Sequence, residues 1–321
     1  MPKWKQTETW TEKYRPDSFG EIDGNESIIS TFQNYSRTGE FPNLLLVGPP
    51  GTGKSTVMRI LSKEIHGAEW RTHTHILDGM DVRGVDQVRS RILPFIKTDY
   101  KGEAPRLLVI EQSESLVRDA QMMLRPLMER HTDRVRVILT CNDVSLVSSS
   151  VQSLCAVYRF SPVDREMIRN RLTKIARSEG VSVTDEAIDA LSRIADGDLR
   201  RAINALQAVG TADDDRITES DVDDTLTSVR PDTVKNMVYA ALAGDYEEAV
   251  SKLHELLSEG VSGKDILFEA HNVAHNLENF DESTLRLINQ IGEAAYRLDA
   301  GGDASVQISS VLADVAQQQS D

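Results

Sequence analysis

Apolar positions between residues 43 and 160 follow two alternating periods. Short apolar or alternating runs at residues 44–47, 71–77, 106–110, 135–141 and 156–160 have the length and composition of strands. Between them, residues 56–65, 84–96 and 116–129 repeat their apolar positions every three or four residues, as one face of a helix does. This alternation predicts a five-stranded parallel sheet covered by helices on both faces, with ligands bound at the carboxyl ends of the strands. A further helical pattern at residues 26–35 precedes it. At Ser161-Pro162 the strand pattern stops. Helical periodicity then runs through residues 164–179, 184–194, 199–209 and 219–225, with a polar, acidic loop at 211–216. Five more amphipathic segments follow at 232–242, 246–257, 263–276, 283–298 and 304–317. Short connections such as Ala243-Gly244-Asp245 suit antiparallel neighbours in a bundle. The expected domains are α/β over residues 1–160, a small helical one over 161–228 and a larger helical one over 229–321.

The chemistry sits at the end of the first strand. Gly48, Pro49, Pro50, Gly51, Thr52, Gly53, Lys54 and Ser55 fit G-x-x-x-x-G-K-[ST], and Thr56 continues into a helix. Glycine permits backbone angles and close approaches that a Cβ blocks, so successive N–H groups can curl around phosphate oxygens at a helix N-terminus. Lys54 then reaches the outer phosphates and the Ser55 hydroxyl can ligate Mg²⁺. A plain glycine-rich turn is the alternative, but the strand before and the helix after favour a nucleoside triphosphate site.

Length and composition set the class. A chain of 321 residues exceeds what one core organises, and 40% hydrophobic residues can fill several. The formal charge is −15 and arginine outnumbers lysine by more than two to one. Acidic residues are spread along the chain, as in a protein that stays soluble in concentrated salt. Such a surface repels nucleic acid at long range, but salt screens that repulsion and a local basic patch is enough to bind it. The two cysteines, Cys141 and Cys155, adjoin apolar strands and read as core thiols. No apolar stretch approaches the roughly 20 residues of a membrane span, and residues 1–11 lack the apolar core of a signal peptide, so a cytoplasmic location is expected.

Residues 10–16 (Trp-Thr-Glu-Lys-Tyr-Arg-Pro) hold an aromatic-and-arginine block in which Pro16 forbids a through-going helix. By themselves they read either as packing or as an adenine pocket. Together with the P-loop, Asn142, Gln152-Ser153-Leu154-Cys155 and Gly197-Asp198-Leu199-Arg200-Arg201 they resemble the replication factor C small subunits of archaea and eukaryotes, over essentially the whole length. The resemblance implies an AAA+ module, a helical lid and a helical collar, with ATP and Mg²⁺ as cofactors. It also implies a hetero-pentameric arc of replication factor C subunits that loads a sliding clamp on primer–template DNA. On this likeness Tyr14, Arg15, Pro16 and Ile22 border the adenine, Asn142 is the sensor at the end of the fourth strand, and Arg200 is the lid sensor on phosphate. Strand-end capping for Asn142 and a solvated helix charge for Arg200 are the plainer alternatives.

Two positions depart from that family. Its acidic tetrad Asp-Glu-Ala-Asp reads Glu111-Gln112-Ser113-Glu114 here. Glu111 can still hold Mg²⁺, but Gln112 accepts no proton, and loss of a general base costs about 10²–10⁴ in rate. Glu114 could replace it if the strand end were shifted. Where the family has Ser-Arg-Cys, Leu154 removes the arginine sent into the neighbouring site, a contribution of order 10³–10⁵ in related P-loop enzymes. The expectation is an ATP-binding subunit with little hydrolysis; the alternative is an active subunit that uses a partner's arginine.

The resemblance also marks Arg83, Arg89 and Arg125 as contacts to DNA phosphates, against salt-bridged helix surface. It marks residues 92–100, with Phe95 and Ile96 exposed, as a meeting point with the clamp. His73 with His75 on one strand face, and His271 with His275 one helical turn apart, lack an evident third metal ligand.

Overall fold

The computed structural model describes residues 8–98, 102, 104–210, 216–226, 231–277 and 282–317. Residues 211–215 of the expected loop and Tyr100 lie outside them. Five strands form one parallel sheet: β1 (Asn43–Val47), β2 (Thr74–Asp78), β3 (Arg106–Glu111), β4 (Val135–Cys141) and β5 (Cys155–Arg159), in the order β2-β3-β4-β1-β5. Period-two alternation sends successive side chains to opposite faces. Leu45, Val47, Leu108, Ile110, Val137 and Leu139 fill one core, while Leu44, Leu46, Leu107, Val109 and Ile138 fill the other. Burial on both faces makes these runs continuously apolar, the pattern of a parallel sheet between helices. The first core is closed by Arg118–Arg130 through Ala120, Leu124 and Met128, the second by Glu26–Thr38 and Lys54–His66 through Phe32, Val57, Ile60 and Leu61.

Three local expectations are corrected. Residues 71–73 are helical, in the turn Trp70–His73, and β2 starts only at Thr74, where Leu107 first offers a ladder partner. His73 and His75 therefore share no strand face. The helix expected over 84–96 is interrupted by a wide, π-type turn at Val88–Ile92, just ahead of Pro94, which lacks the N–H a regular helix needs. Ile96 is buried and Phe95 packs against the first core, stacked on His75 and under the Arg106 guanidinium, so neither forms the exposed apolar end expected of a clamp contact. As Pro16 requires, no helix runs through residues 10–16: Trp10–Lys13 makes one helical turn that stops at Tyr14.

Beyond β5 the chain is helical. Arg165–Glu179, Asp185–Ala195 and Leu199–Gly210 form a three-helix bundle in one compact unit with the sheet, Met1–Ile217. The second unit, Thr218–Asp321, contains Glu219–Leu226 and, packed around Val234, Met237, Leu253, Ile266, Leu287 and Leu312, the helices Pro231–Leu242, Tyr246–Ser258, Gly263–His275, Glu282–Asp299 and Ala304–Ala316. Asp245, Ser262 and Asp303 cap three of these helices by accepting backbone N–H bonds of 3.0–3.2 Å. His271 and His275 stack on one helix face with ring centroids 6.2 Å apart. Among the described residues no helix is long and apolar enough to cross a membrane.

Candidate nucleotide site

The strand order brings the carboxyl ends of β3, β4 and β1 side by side, so Glu111, Asn142 and the P-loop share one edge of the sheet. The loop curls because Gly51 and Gly53 take φ of +68° and +97°. Lys54 then starts the helix that runs to His66. Its ammonium group is buried and donates to the carbonyl oxygens of Gly48 at 2.6 Å and Pro49 at 2.7 Å, and to Asn142 Oδ1 at 3.3 Å. Burial pushes its pKa below the usual lysine value, against the pull of Cys141, Glu114 and Asp198. A weakly hydrated cation at the mouth of converging N–H groups is suited to polyphosphate.

These groups face a cavity of about 530 Å³, inside the roughly 300–1,000 Å³ range of small-molecule sites. Tyr14, Arg15, Pro16 and Ile22 line it together with Pro50, Thr52, Ser55, Thr56, Asn142 and Arg200. Every expected adenine and sensor residue is thus gathered in one place. The donor set of Ser55 hydroxyl and Glu111 carboxylate, both in the lining, fits Mg²⁺, a hard cation that prefers oxygen ligands. Bound there, Mg²⁺ would neutralise phosphate charge.

The acidic end of β3 has a defined arrangement. Gln112 sits in the left-handed region at φ +50°, is exposed, and brings its side-chain amide within 3.5 Å of Asp78 Oδ2. The chain passes so close to the loop after β2 that a Cβ on Gly79 would lie 2.3 Å from the Gln112 carbonyl oxygen. Pairing of Asp78 with Glu111 keeps Glu111 as the last residue of β3, so the strand end is not shifted. Glu114 turns instead to β4. Its Oε1 accepts the Asn142 N–H at 3.0 Å, and its Oε2 is closed off from solvent with no hydrogen-bond partner.

Leu154 lies half-buried against the first core, beside Cys155. Cys141 is fully buried, and burial raises the two thiols to about 11 and about 12 respectively. Arg83, Arg89 and Arg125 are exposed on residues 83–125. Arg125 pairs with Glu129 at 3.0 Å and Arg89 only loosely with Asp86, at 3.9 Å.

Several site features escaped the sequence reading. Glu12 lines the cavity, is hydrogen-bonded to Arg15 and lies 3.5 Å from Arg59. Burial works to raise its carboxyl pKa, but Arg15, Arg59 and Arg200 outweigh this and hold it below the usual range. Asp198, at the start of Leu199–Gly210, presses on the P-loop so closely that a Cβ on Gly51 would fall 1.7 Å from its Oδ1. A strap, residues 10–25, ties this bundle down: Trp10 N–H to Gln207 at 2.9 Å, Lys13 and Tyr14 to Glu179 at 2.6 Å, and Arg171 to Asp23 at 2.7 Å. None of these pairs has a sequence signal, because their members lie more than a hundred residues apart.

Family models match three consecutive stretches: the ATPase family associated with various cellular activities (AAA) over residues 44–179, the RFC1-like AAA+ ATPase lid domain over 165–222, and the replication factor C C-terminal domain over 229–314. The replication factor C small subunit of Haloarcula marismortui is 37% identical over 97% of this chain and 95% of its own length. That of Natronomonas pharaonis is 38% identical over 96% and 95%. The chain belongs to the replication factor C small-subunit family. The RuvB Holliday junction branch migration motor of Thermotoga maritima superimposes with a TM-score of 0.56 at 18% identity, over 78% of this chain and 86% of that one, and shares the AAA+ fold. The sheet, bundle and C-terminal helices are therefore an AAA+ P-loop module, a helical lid and the C-terminal helical domain of a replication factor C small subunit.

Proposed function

We propose that this chain is an ATP-binding small subunit of a clamp loader, the assembly that places a sliding clamp on primer–template DNA, and that its own pocket hydrolyses ATP slowly or not at all. It joins other replication factor C subunits through the helical domain over residues 229–321. Its composition suits a salt-adapted archaeal cytoplasm. The observation that carries the reading is an intact phosphate cradle, with Lys54 held at the P-loop mouth, beside a base position filled by an exposed amide. An amide accepts no proton at neutral pH, so the step that activates water lacks its usual partner. Glu114 does not supply it, since one oxygen is committed to Asn142 and the other is shielded from water. Leu154 packs on its own core and offers a neighbour no charge. Arg83, Arg89 and Arg125 are proposed as sequence-independent contacts to DNA phosphate; Arg83 and Arg89 carry this best, because Arg125 is already paired with Glu129.

The test is Gln112→Glu in the co-purified complex. A restored carboxylate should raise turnover at this site by about 10²-fold or more, read by single-site ATPase measurement with the partner P-loops inactivated. Wild-type turnover already equal to that of the conventional subunits would exclude the slow-pocket reading and favour an active subunit served by a partner's arginine.

A further inference from the structure

The single turn Trp10–Lys13 sets Glu12 and Arg15 three residues apart, so their side chains meet on one side of the strap. Arg15 Nη2 donates to Glu12 Oε1, and Glu12 Oε2 lies 3.5 Å from Arg59 Nη1. Arg59 stands on the helix Lys54–His66, whose first turn closes the phosphate loop. Farther along that helix, Lys63 meets Asp17 at 2.5 Å. The strap is thus fastened to the P-loop helix at two points, and the inner one runs through the Glu12 carboxylate. Glu12 and Arg15 both line the cavity, while Arg59 does not. Arg15 Nε is shut off from solvent with no hydrogen-bond partner among the described residues, so the Nη contact with Glu12 is what orients this guanidinium in the cavity wall. Arg200, also in the lining, pulls on the same carboxylate. Without it the three guanidiniums would repel one another, and Arg15 would lose its anchor. A pair this exposed adds little to overall stability. Its effect is on where Arg15 stands.

We propose that Glu12 is a positioning residue of the base end of the nucleotide site: it holds Arg15 in the cavity wall and, through Arg59, sets the strap at a fixed distance from the phosphate loop. The site then favours a ligand whose base and phosphates span that distance over a bare polyphosphate. The inference rests on the reading that this pocket binds ATP with its base against residues 14–22, and it adds the residue that fixes that wall. It concerns binding alone, so it stands whether or not turnover is slow.

The experiment compares, in the intact protein at neutral pH, the affinities for a non-hydrolysable ATP analogue and for inorganic triphosphate, each with Mg²⁺. Both probes meet the phosphate loop, and only the first has a base to set against the strap. Removing a negative charge beside the cavity strengthens the attraction for both, so the ratio of the two affinities isolates the positioning role. Glu12→Gln should lower the preference for the analogue by about three- to tenfold, the size of one lost hydrogen bond. Arg59→Gln cuts the tie to the helix while leaving every lining residue in place, and should shift the ratio in the same direction; it serves if Glu12→Gln does not fold. A wild-type ratio in folded Glu12→Gln, or in Arg59→Gln where that variant stands in for it, would overturn the proposal. So would a wild type that binds the two probes equally, since no base contact would then exist to be positioned. A wild type that binds neither removes the ATP reading itself, an outcome distinct from equal binding.

Discussion

At the scale of single residues, the P-loop shows how a motif and its surroundings divide the work. The left-handed backbone at Gly51 follows from the motif, since a side chain there costs about 1–2 kcal/mol even in open space. The second reason for glycine comes from the lid: Asp198 occupies the volume a Cβ would need. Gly51→Ala should therefore lower the thermal midpoint and weaken ATP binding together, because lid and loop must separate. Calorimetry with and without nucleotide measures both, and an unchanged midpoint would show that the lid yields freely. Leu154 makes the converse point. The resemblance expects an arginine at this position, while in the structure the leucine packs against the core of its own domain.

At the scale of elements, the long periodic segments match their expected bounds to within a few residues, because burying one face of a helix or both faces of a strand is a local property of the pattern. The failures cluster where a tertiary partner decides. Phe95 reads in the sequence as an exposed helix end, but Arg106 and His75 cover its ring. The strap of residues 10–25 is the larger case, since its meaning is the lid it holds. Glu179 accepts from both Lys13 and Tyr14, and these bonds keep its carboxyl below the ordinary 4.5. The stabilisation is therefore complete above that value and is lost as pH falls through the depressed one. Glu179→Gln should lower the melting temperature near neutral pH, and the gap from wild type should close in acid. Lys13 is half exposed, so the tie is a weak one of surface type, screened by solvent. A gap that persists unchanged once acid has protonated Glu179 would mean that packing, not charge, holds the lid through this helix.

For the molecule as a whole, the charge of −15 matters more than any single pair. Self-repulsion among spread carboxylates opposes compaction. Raising salt from about 0.1 M to about 1 M shortens the Debye length from about 10 Å to about 3 Å. The thermal midpoint should rise over that range, as scanning calorimetry at fixed pH would record. A midpoint that falls would contradict an acidic surface adapted to salt. The same screening would let an acidic chain meet DNA through the few arginines proposed for that contact, Arg83 and Arg89.

What the amino-acid order determined alone is what short-range physics encodes: strand and helix periods and the glycine-dependent phosphate loop, while the departures at Gln112 and Leu154 show only against the family it resembles. Tertiary structure alone decided which distant groups meet. It set Glu114 behind Asn142 and Lys54, laid Asp198 over Gly51, and clasped the lid through Glu179 and Arg171. The reason is physical. A period or a turn is written in neighbouring residues, whereas an ion pair or a close approach across more than a hundred positions exists only once the cores have brought the chain together.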